Sequence, residues 1–522
     1  MAFAESLETR LLRLSETDFF TLRDAVQGVH VFGGIGSGKT SGSGKALADA
    51  YLRAGMGGLV LCAKPDEVDR WLGYAKANGR ANSVILFGER GGAFNFITYE
   101  LARQGIAGLG SVIECVMRIL DAARMANPNA GRNSESFWED AVRQLLRNTI
   151  PPLYAATGNV SLPDIVRFVA TAPVSPEQRT DKGWLETSFM FQTLANAVKQ
   201  PRVALPERDM DMIGAYWRNE YSHLDNKTRS NMAITLSTAL DRFTRGRLHH
   251  AFCTDTTLIP EMTFHGAIII MDMSALTWNE DGIIGQQLFK FMWQRAVLAR
   301  NALDPKHRDR PVFCWADEAQ FFVNDADAMF QSTCRSSKAC TVYLTQSLPT
   351  YYARIGGDNA KHKADMLLAN FVTKIFHNNA DPETNKWAAE TIGRSLQQRH
   401  NYGEGQSRGR NTGVGDGEST NWGTSFSSSY STGKGGGSSS SGWGSSEGAG
   451  DNWSRNAGIN TGSSTNSGWS ETMDYEIEPA DFSRRLRTGG PANRNNVTGV
   501  WFQAGRLFKG SRRNYLSVRF RQ

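Results

Sequence analysis

The chain has 522 residues, enough for two or three domains, and 40% of them are hydrophobic, which is ample for a buried core. No apolar run approaches the roughly 18–20 residues that span a bilayer, and the charged first residues lack the apolar stretch of a signal peptide. The formal net charge is +6, and the six cysteines contain no Cys-x-x-Cys pair. These features disfavour a membrane-spanning protein, a disulfide-stabilised secreted protein and a cysteine-based zinc site. We therefore expect a reduced, cytoplasmic chain.

The first strong pattern is the phosphate-binding loop Gly-x-x-x-x-Gly-Lys-Thr at Gly33–Thr40. Its glycines allow a tight turn that points backbone N–H groups at a polyphosphate, Lys39 adds a positive charge, and Thr40 offers a hydroxyl to Mg²⁺. The flanking residues predict a buried strand at Val29–Phe32 and a helix at Ala46–Leu52. We predict a nucleoside triphosphate site built from nine residues: Gly33, Gly34, Ile35, Gly36, Ser37, Gly38, Lys39, Thr40 and Ser41.

Beyond the loop, short apolar runs alternate with helical stretches, which is typical of parallel strands in an α/β core. From about Gly105 to Cys253 the pattern changes to one helix after another. There the capping box Ser136-Phe-Trp-Glu139 opens a helix that Pro151-Pro152 is expected to end. The alternation then resumes with four strand candidates, Ala267–Asp272, Val312–Glu318, Cys340–Gln346 and Phe371–Phe376.

The last 120 residues divide by composition. Residues 402–470 are mostly Gly, Ser, Thr and Asn, which bury too little apolar area to offset chain entropy, so we predict disorder. The segment carries four tryptophans, Trp422, Trp443, Trp453 and Trp469. One interpretation is that the segment is a flexible spacer; the other is that its tryptophans are contact points on which the bases of single-stranded nucleic acid stack. From residue 482 onward there are ten Lys or Arg and no acidic residue. This basic end suits a nucleic acid or an acidic partner, or equally a solvated face or a subunit contact.

Together these patterns predict an α/β fold with a parallel-rich central sheet and an inserted all-α domain. The predicted boundaries are 1–104 for the first part of the core with the phosphate loop, 105–253 for the helical insertion, 254–401 for the second part of the core, 402–470 for the disordered segment, and 471–522 for basic strands that complete the core.

Hydrolysis requires one carboxylate near Mg²⁺ and a second that activates water, both near the end of a strand. Asp272 ends an apolar strand but is followed by Met and Ser, whereas Asp317 is followed at once by Glu318. We therefore assign Asp317 to the metal and Glu318 to the water. Gln346, at the end of the next strand, is placed to sense the γ-phosphate. Arg335 is either an arginine finger that acts on a neighbouring subunit or a surface residue.

With these residues in hand, the chain resembles the type IV coupling proteins, the TraG/TraD-like branch of the HerA–FtsK class of hexameric translocases. The resemblance extends from about residue 20 to the end, outside the Gly/Ser-rich segment. It rests on the phosphate loop, on Arg335 eleven residues before Gln346, and on five sequence stretches: Lys64-Pro-Asp-Glu, Asp317-Glu-Ala-Gln, Asp365–Phe376, Asn379–Thr384 and Gly499–Arg506.

The resemblance implies a RecA-like motor domain with an all-α insertion, which assembles as a hexameric ring. Such rings hydrolyse ATP with Mg²⁺ between subunits and move DNA through a central pore toward a secretion apparatus. By motif match, Lys39 and Thr40 bind phosphate and Mg²⁺, Asp317 holds the metal, and Glu318 activates water. Gln346 is the sensor and Arg335 the finger. Implied partners are DNA, a relaxase, and secretion-channel or inner-membrane subunits.

Many coupling proteins begin with transmembrane helices, and none is predicted here, so membrane attachment would come from another subunit or from peripheral docking. This departure leaves a second motor class open: a soluble HerA/FtsK-like DNA-processing translocase or a protein-secretion ATPase. A third class is a nucleotide-dependent module that recruits substrates through its basic end. Glu318 argues against that class, because a pure switch does not need an acid that activates water.

Overall fold

The computed structural model describes residues 3–125, 135–357, 359–414, 418–433, 436–450 and 458–522, and within 122–138 and 398–470 it describes at most the backbone. The strands are β1 Arg10–Arg13, β2 Phe19–Thr21, β3 Val29–Phe32, β4 Gly57–Leu61, β5 Val84–Gly88, β6 Ile268–Asp272, β7 Val312–Ala316, β8 Ala339–Thr345, β9 Thr373–Phe376, β10 Arg394–Val414, β11 Glu418–Gly433, β12 Gly436–Gly450, β13 Gly458–Tyr475, β14 Asn496–Gln503 and β15 Tyr515–Arg521.

The helices in the same residues are α1 Leu22–Ala25, α2 Lys45–Arg53, α3 Asp66–Ala77, α4 Phe96–Gln104, α5 Leu109–Met125, α6 Glu135–Thr157, α7 Leu162–Ala170, α8 Lys182–Thr187, α9 Phe189–Lys199, α10 Glu207–Ala215, α11 Asn226–Leu240, α12 Gly246–Phe252, α13 Ala275–Trp278, α14 Glu280–Ala299, α15 Pro305–Arg308, α16 Asp325–Thr333, α17 Leu348–Ile355, α18 Ala360–Ala369, α19 Pro382–Ile392 and α20 Pro479–Arg484.

The described residues include a nine-stranded sheet in the order β15-β14-β9-β3-β8-β7-β4-β6-β5. The seven strands from β9 to β5 pair in parallel, whereas β14 joins β9 and β15 joins β14 in antiparallel fashion. Strands β3, β4, β7 and β8 are buried at every residue, as expected for a parallel sheet covered on both faces. The predicted α/β fold with a parallel-rich sheet is confirmed.

Strand β3 lies between β8 and β9, which follow it in the chain by about 300 residues or more. The chain therefore leaves β3 at a point where the strand order reverses, and such points form crevices at the carboxyl edge of a sheet. The phosphate loop begins there, directly after Phe32.

Helices α4–α12 occupy the chain between β5 and β6. They share a hydrophobic core with one face of the sheet: the ring of Phe87 on β5 lies 5.2 Å from that of Phe252 on α12 and 4.9 Å from that of Phe289 on α14. The expected stop at Pro151-Pro152 is wrong, because α6 continues to Thr157. The apolar face formed by Leu146, Ile150 and Leu153 is completely buried, and that packing favours the helix despite the lost N–H groups.

The predicted disorder of residues 402–470 differs from the structure. The described backbone there forms a separate antiparallel sheet in the order β12-β11-β10-β13. The backbone N–H and C=O groups of these strands pair with one another along their whole register. At its base, the guanidinium of Arg394 lies 4.3 Å from the ring of Tyr475, and Gln397 donates to the Tyr475 carbonyl at 2.8 Å.

None of the helices in the described part of the chain combines the length and the apolar character needed to cross a bilayer.

Candidate functional site

The phosphate loop requires glycine at two positions with left-handed backbone, Gly36 at φ +69° and Gly38 at φ +83°. At Gly38 a side chain is excluded twice, because an added Cβ would also lie 2.4 Å from the side chain of Val497 on β14. Within the loop, the hydroxyl of Ser37 is buried and lacks a hydrogen-bond partner among the described residues. A buried polar atom without a partner is costly, so this hydroxyl fits a site for an oxygen-rich ligand.

The helix that leaves the loop starts as a wide π turn over Lys39–Gly44 and continues as α2. Its start is held against the end of β9, where Ser43 and the Nε2 atom of His377 are 2.7 Å apart. The other ring nitrogen of His377 lies 3.1 Å from the Thr498 carbonyl. A carbonyl only accepts, so Nδ1 carries the proton and Nε2 accepts from Ser43. Burial lowers the pKa of His377 to about 4, which keeps the ring neutral.

Thr40 and Asp317 form the first contact between the loop and the predicted acids. The Thr40 hydroxyl donates to the Asp317 carboxylate at 2.6 Å, across the ends of β3 and β7. Asp317 is buried, its other oxygen accepts from the Glu318 N–H at 3.0 Å, and Arg70 on α3 lies 3.9 Å away. A hydroxyl and a carboxylate side by side are hard oxygen ligands of the kind that Mg²⁺ prefers.

Glu318 has an unusual backbone, with φ +52° in the left-handed region. Its Oε1 atom lies 3.5 Å from the ammonium groups of both Lys39 and Lys64, and it accepts from the Gln346 amide at 3.1 Å. Burial opposes the charged form of Glu318 and by itself would raise the pKa of this carboxyl. The pKa is nevertheless held below its usual value by the charge of Lys39, by hydrogen bonds from the amides of Gln320 and Gln346, and by the charge of Lys64. The acid is therefore ionised at neutral pH.

The second oxygen of Glu318 has a different partner. Gln320 donates to Oε2 at 3.0 Å, and the amide oxygen of Gln320 lies 2.8 Å from the hydroxyl of Thr345 on β8. The two carboxylate oxygens of Glu318 therefore face different surroundings, one toward the loop lysines and one toward the buried Gln320.

Sequence reasoning did not assign site roles to Lys64, Glu67, Arg70 and Gln320. Burial, together with the negative charge of Asp317, raises the pKa of Glu67 to about 8. Its Oε2 atom accepts from the Ala63 N–H at 2.8 Å. A cavity of about 10 Å³, the size of one water molecule, lies between Thr40, Glu67 and Asp317. Lys64, Glu67 and Arg70 follow β4, which lies beside β7, so the carboxyl ends of both strands reach the same edge of the sheet; the sequence alone does not show this adjacency.

The segment after Glu318 is anchored in the core by Asp327, in the first turn of α16. This buried carboxylate accepts from the ammonium of Lys290 at 2.5 Å, from the amide of Gln294 at 2.8 Å and from the hydroxyl of Tyr343 at 2.9 Å. Because α14 and β8 supply these donors, α16 is fixed to both elements.

Arg335 lies apart from the other predicted site residues. It is in the turn Cys334–Ser337 before β8, whereas Gln346 follows the far end of that seven-residue strand. At ~3.3 Å per residue the two ends are roughly 20 Å apart. Arg335 is exposed, and in the described ranges no acidic side chain pairs with it. The structure therefore brings together the loop, Asp317, Glu318 and Gln346, and places Arg335 at the opposite edge of the sheet.

Comparison with known proteins gives one family match. Residues 311–443 match the model of the TraM recognition site of TraD and TraG. No curated protein matches the chain.

Two solved structures with TM-scores above 0.5 show the same fold. The bacterial conjugative coupling protein TrwBdeltaN70, in its unbound monoclinic form, has a TM-score of 0.54 and 12% identity, covering 98% of this chain and 89% of that chain. Its trigonal form in complex with sulphate has a TM-score of 0.53 and 12% identity, covering 98% and 90%. The plasmid coupling protein TrwB in complex with a non-hydrolysable ATP analogue has a TM-score of 0.48 and 14% identity, covering 75% and 80%. The RecA-like P-loop fold and the resemblance to the TraG/TraD-like coupling proteins are confirmed.

Proposed function

We propose that the chain is an ATP-hydrolysing, hexameric DNA translocase of the type IV coupling protein kind, which delivers DNA or a DNA–protein complex to a conjugation apparatus. One observation carries the enzymatic part. The buried, ionised Glu318 lies 3.5 Å from the phosphate-loop Lys39 and follows directly the acid that Thr40 contacts. A protein that only senses nucleotide does not need a charged acid at that place.

The residues at the site fit ATP and Mg²⁺. The loop glycines and the unpartnered Ser37 hydroxyl suit phosphate oxygens, and Thr40 with Asp317 would hold the metal. Bound Mg²⁺ supplies charge neutralisation at the phosphates. Once Lys39 contacts phosphate, its attraction to Glu318 weakens, and that carboxylate becomes free to accept a proton from the attacking water. Gln346, which now donates to Glu318, is placed to respond to the same change.

Arg335 completes the proposal for a ring. Within its own chain it lies at the sheet edge opposite the phosphate loop. A cation at that edge would reach the site of an adjacent subunit rather than its own, which is how an arginine finger neutralises charge in the transition state. A hexamer therefore gives this exposed residue a function.

Two features support the substrate and the partners. The match to a TraM recognition model supports docking of a protein partner over residues 311–443, and we extend the proposal to a relaxase and to channel or inner-membrane subunits. On the edge strand β15, Arg519 and Arg521 are exposed and alternate with the buried Val518 and Phe520. Such a row suits contacts with DNA phosphates.

The test uses the purified full chain with ATP, Mg²⁺ and DNA. We expect ATP hydrolysis that DNA stimulates, and a six-membered ring with density in its pore by electron microscopy. Hydrolysis without any response to DNA would favour the protein-secretion alternative. Nucleotide binding without hydrolysis would contradict the motor and favour a recruitment module.

A further inference from the structure

The two oxygens of the Glu318 carboxylate differ in what surrounds them. Oε1 faces Lys39, Lys64 and Gln346, on the side where the phosphates of a nucleotide are expected. Oε2 points the other way, to the amide of Gln320 at 3.0 Å. If Oε1 is the oxygen that accepts the proton of water, the hydrogen bond to Oε2 holds the carboxylate from the side away from the phosphates.

The orientation of the Gln320 amide follows from its neighbours. A carboxylate only accepts, so the NH₂ group of Gln320 must face Glu318 and its oxygen must face away. That oxygen then meets the hydroxyl of Thr345 at 2.8 Å, which must donate. The direction of both hydrogen bonds is therefore fixed: Thr345 donates to Gln320, and Gln320 donates to Glu318.

Because of burial and backbone geometry, these two hydrogen bonds affect the orientation of Glu318. Thr345 is completely buried, Gln320 is buried, and both side chains are therefore confined. Glu318 is buried as well, and its left-handed backbone starts a short turn rather than continuing β7. Its carboxylate is thus oriented by its hydrogen bonds, and Gln320 supplies the one to Oε2.

We propose that Gln320, oriented by Thr345, is a positioning residue that sets the orientation of the Glu318 carboxylate for proton transfer. The inference rests on the proposed ATP hydrolysis and adds to it a pair of residues that act through the Glu318 carboxylate. Loss of Gln320 leaves the nucleotide site intact and misdirects the base. It therefore lowers kcat and spares the apparent affinity for ATP.

The experiment compares steady-state ATP turnover and ATP binding in four variants. Gln320→Leu removes the donor, and Gln320→Glu keeps the shape but places a second carboxylate against that of Glu318. We expect kcat to fall about 10- to 100-fold in each variant, with KM for ATP within about threefold of the value for the unaltered chain. Thr345→Val should lower kcat by about tenfold, and Thr345→Ser should restore most of it. The matched control is Thr341→Val on the same strand, because the buried Thr341 hydroxyl has no partner in the described structure.

Coupling between the two positions separates positioning from packing. The Thr345 hydroxyl also lies 3.2 Å from that of Thr350, so Thr350→Val is made in parallel. In the double variant Gln320→Leu with Thr345→Val, the second change should cost no more turnover than Thr350→Val does alone, because the effect of Thr345 on Glu318 passes through Gln320. Additive losses, or losses that follow unfolding temperature instead of kcat, would overturn the proposal. If the Gln320→Leu variant keeps full turnover while the Glu318→Gln variant is inactive, the positioning role of Gln320 is overturned and the proposed ATP hydrolysis stands. Absence of turnover in the unaltered chain would overturn both.

Discussion

The hydroxyl of Thr40 donates to the carboxylate of Asp317 at 2.6 Å, although 277 positions separate the two residues in the chain. Strands β3 and β7 are not neighbours, since β8 lies between them. The contact therefore crosses the crevice at the carboxyl edge and joins the phosphate loop to the acids.

This contact predicts how Mg²⁺ dependence will respond to substitution. Thr40→Val removes the oxygen but keeps the shape, and we expect the Mg²⁺ concentration for half-maximal ATP turnover to rise at least about tenfold. Thr40→Ser retains the hydroxyl and is the matched control. Titration of turnover with Mg²⁺ at saturating ATP measures the shift. Equal Mg²⁺ dependence of the valine and serine variants would contradict the assignment.

The second prediction concerns the base. Glu318→Gln removes the proton acceptor, and we expect kcat to fall about 100-fold or more while ATP still binds. The control is Asp272→Asn, because Asp272 also ends a parallel strand but binds Arg90 at 2.6 Å instead of the phosphate loop. Turnover in the control should stay within about twofold. Normal hydrolysis by the Glu318→Gln variant would remove this residue from the mechanism.

The third prediction tests whether Arg335 acts in trans. Arg335→Ala should abolish turnover without weakening ATP binding, because the residue is far from its own loop. Mixing it with Glu318→Gln subunits should restore part of the activity, since some interfaces then combine an intact base with an intact arginine. Lys306→Ala is the control, as this exposed cation precedes β7 at the same edge. If no mixture regains activity, Arg335 is not shared between subunits.

The fourth prediction concerns DNA. Replacing Arg519 and Arg521 by glutamine should weaken DNA binding similarly for all sequences and reduce the slope of log affinity against log salt by about 1–2. Fluorescence titrations at several salt concentrations measure that slope. Arg245→Gln, an exposed arginine on the helical part of the chain, should leave it unchanged. An unaltered slope in the double variant would exclude β15 from the DNA contact.

The fifth prediction follows from the low pKa of His377. The folded state holds this ring neutral down to about pH 4, whereas an unfolded histidine takes up its proton near pH 6.5, so its contribution to stability is present above pH 6.5 and is lost as the pH falls. By pH 5 the loss is roughly 2 kcal/mol. His377→Gln should therefore make urea unfolding less sensitive to pH between 6.5 and 5. An unchanged pH dependence would show that the ring is accessible to protons.

The parts of the site that sequence predicted are those fixed locally. The loop residues and the pair Asp317-Glu318 are each encoded within a few positions, and the apolar runs before them mark the strands. Lys64 and Gln320 escaped assignment because their roles depend on which strands are adjacent. β4 lies beside β7, and β7 beside β8, and neither pairing follows from the pattern of a single strand.

Two local expectations were wrong for a related reason. Pro151-Pro152 does not end α6, because buried side chains on that helix stabilise it from outside. Residues 402–470 lack apolar side chains, yet their described backbone pairs with itself. In both cases interactions distant in sequence outweigh local composition.

The position of α16 has a consequence for the ring that we propose. This nine-residue helix starts shortly after Glu318 and ends at the turn that carries Arg335, and Asp327 ties it to α14 and β8. Within one subunit, α16 therefore links the segment that follows the proposed base Glu318 to the turn that carries the proposed finger Arg335. Because α16 is held to α14 and β8, any movement of these elements at one site of the proposed ring would be carried to the arginine at the next interface.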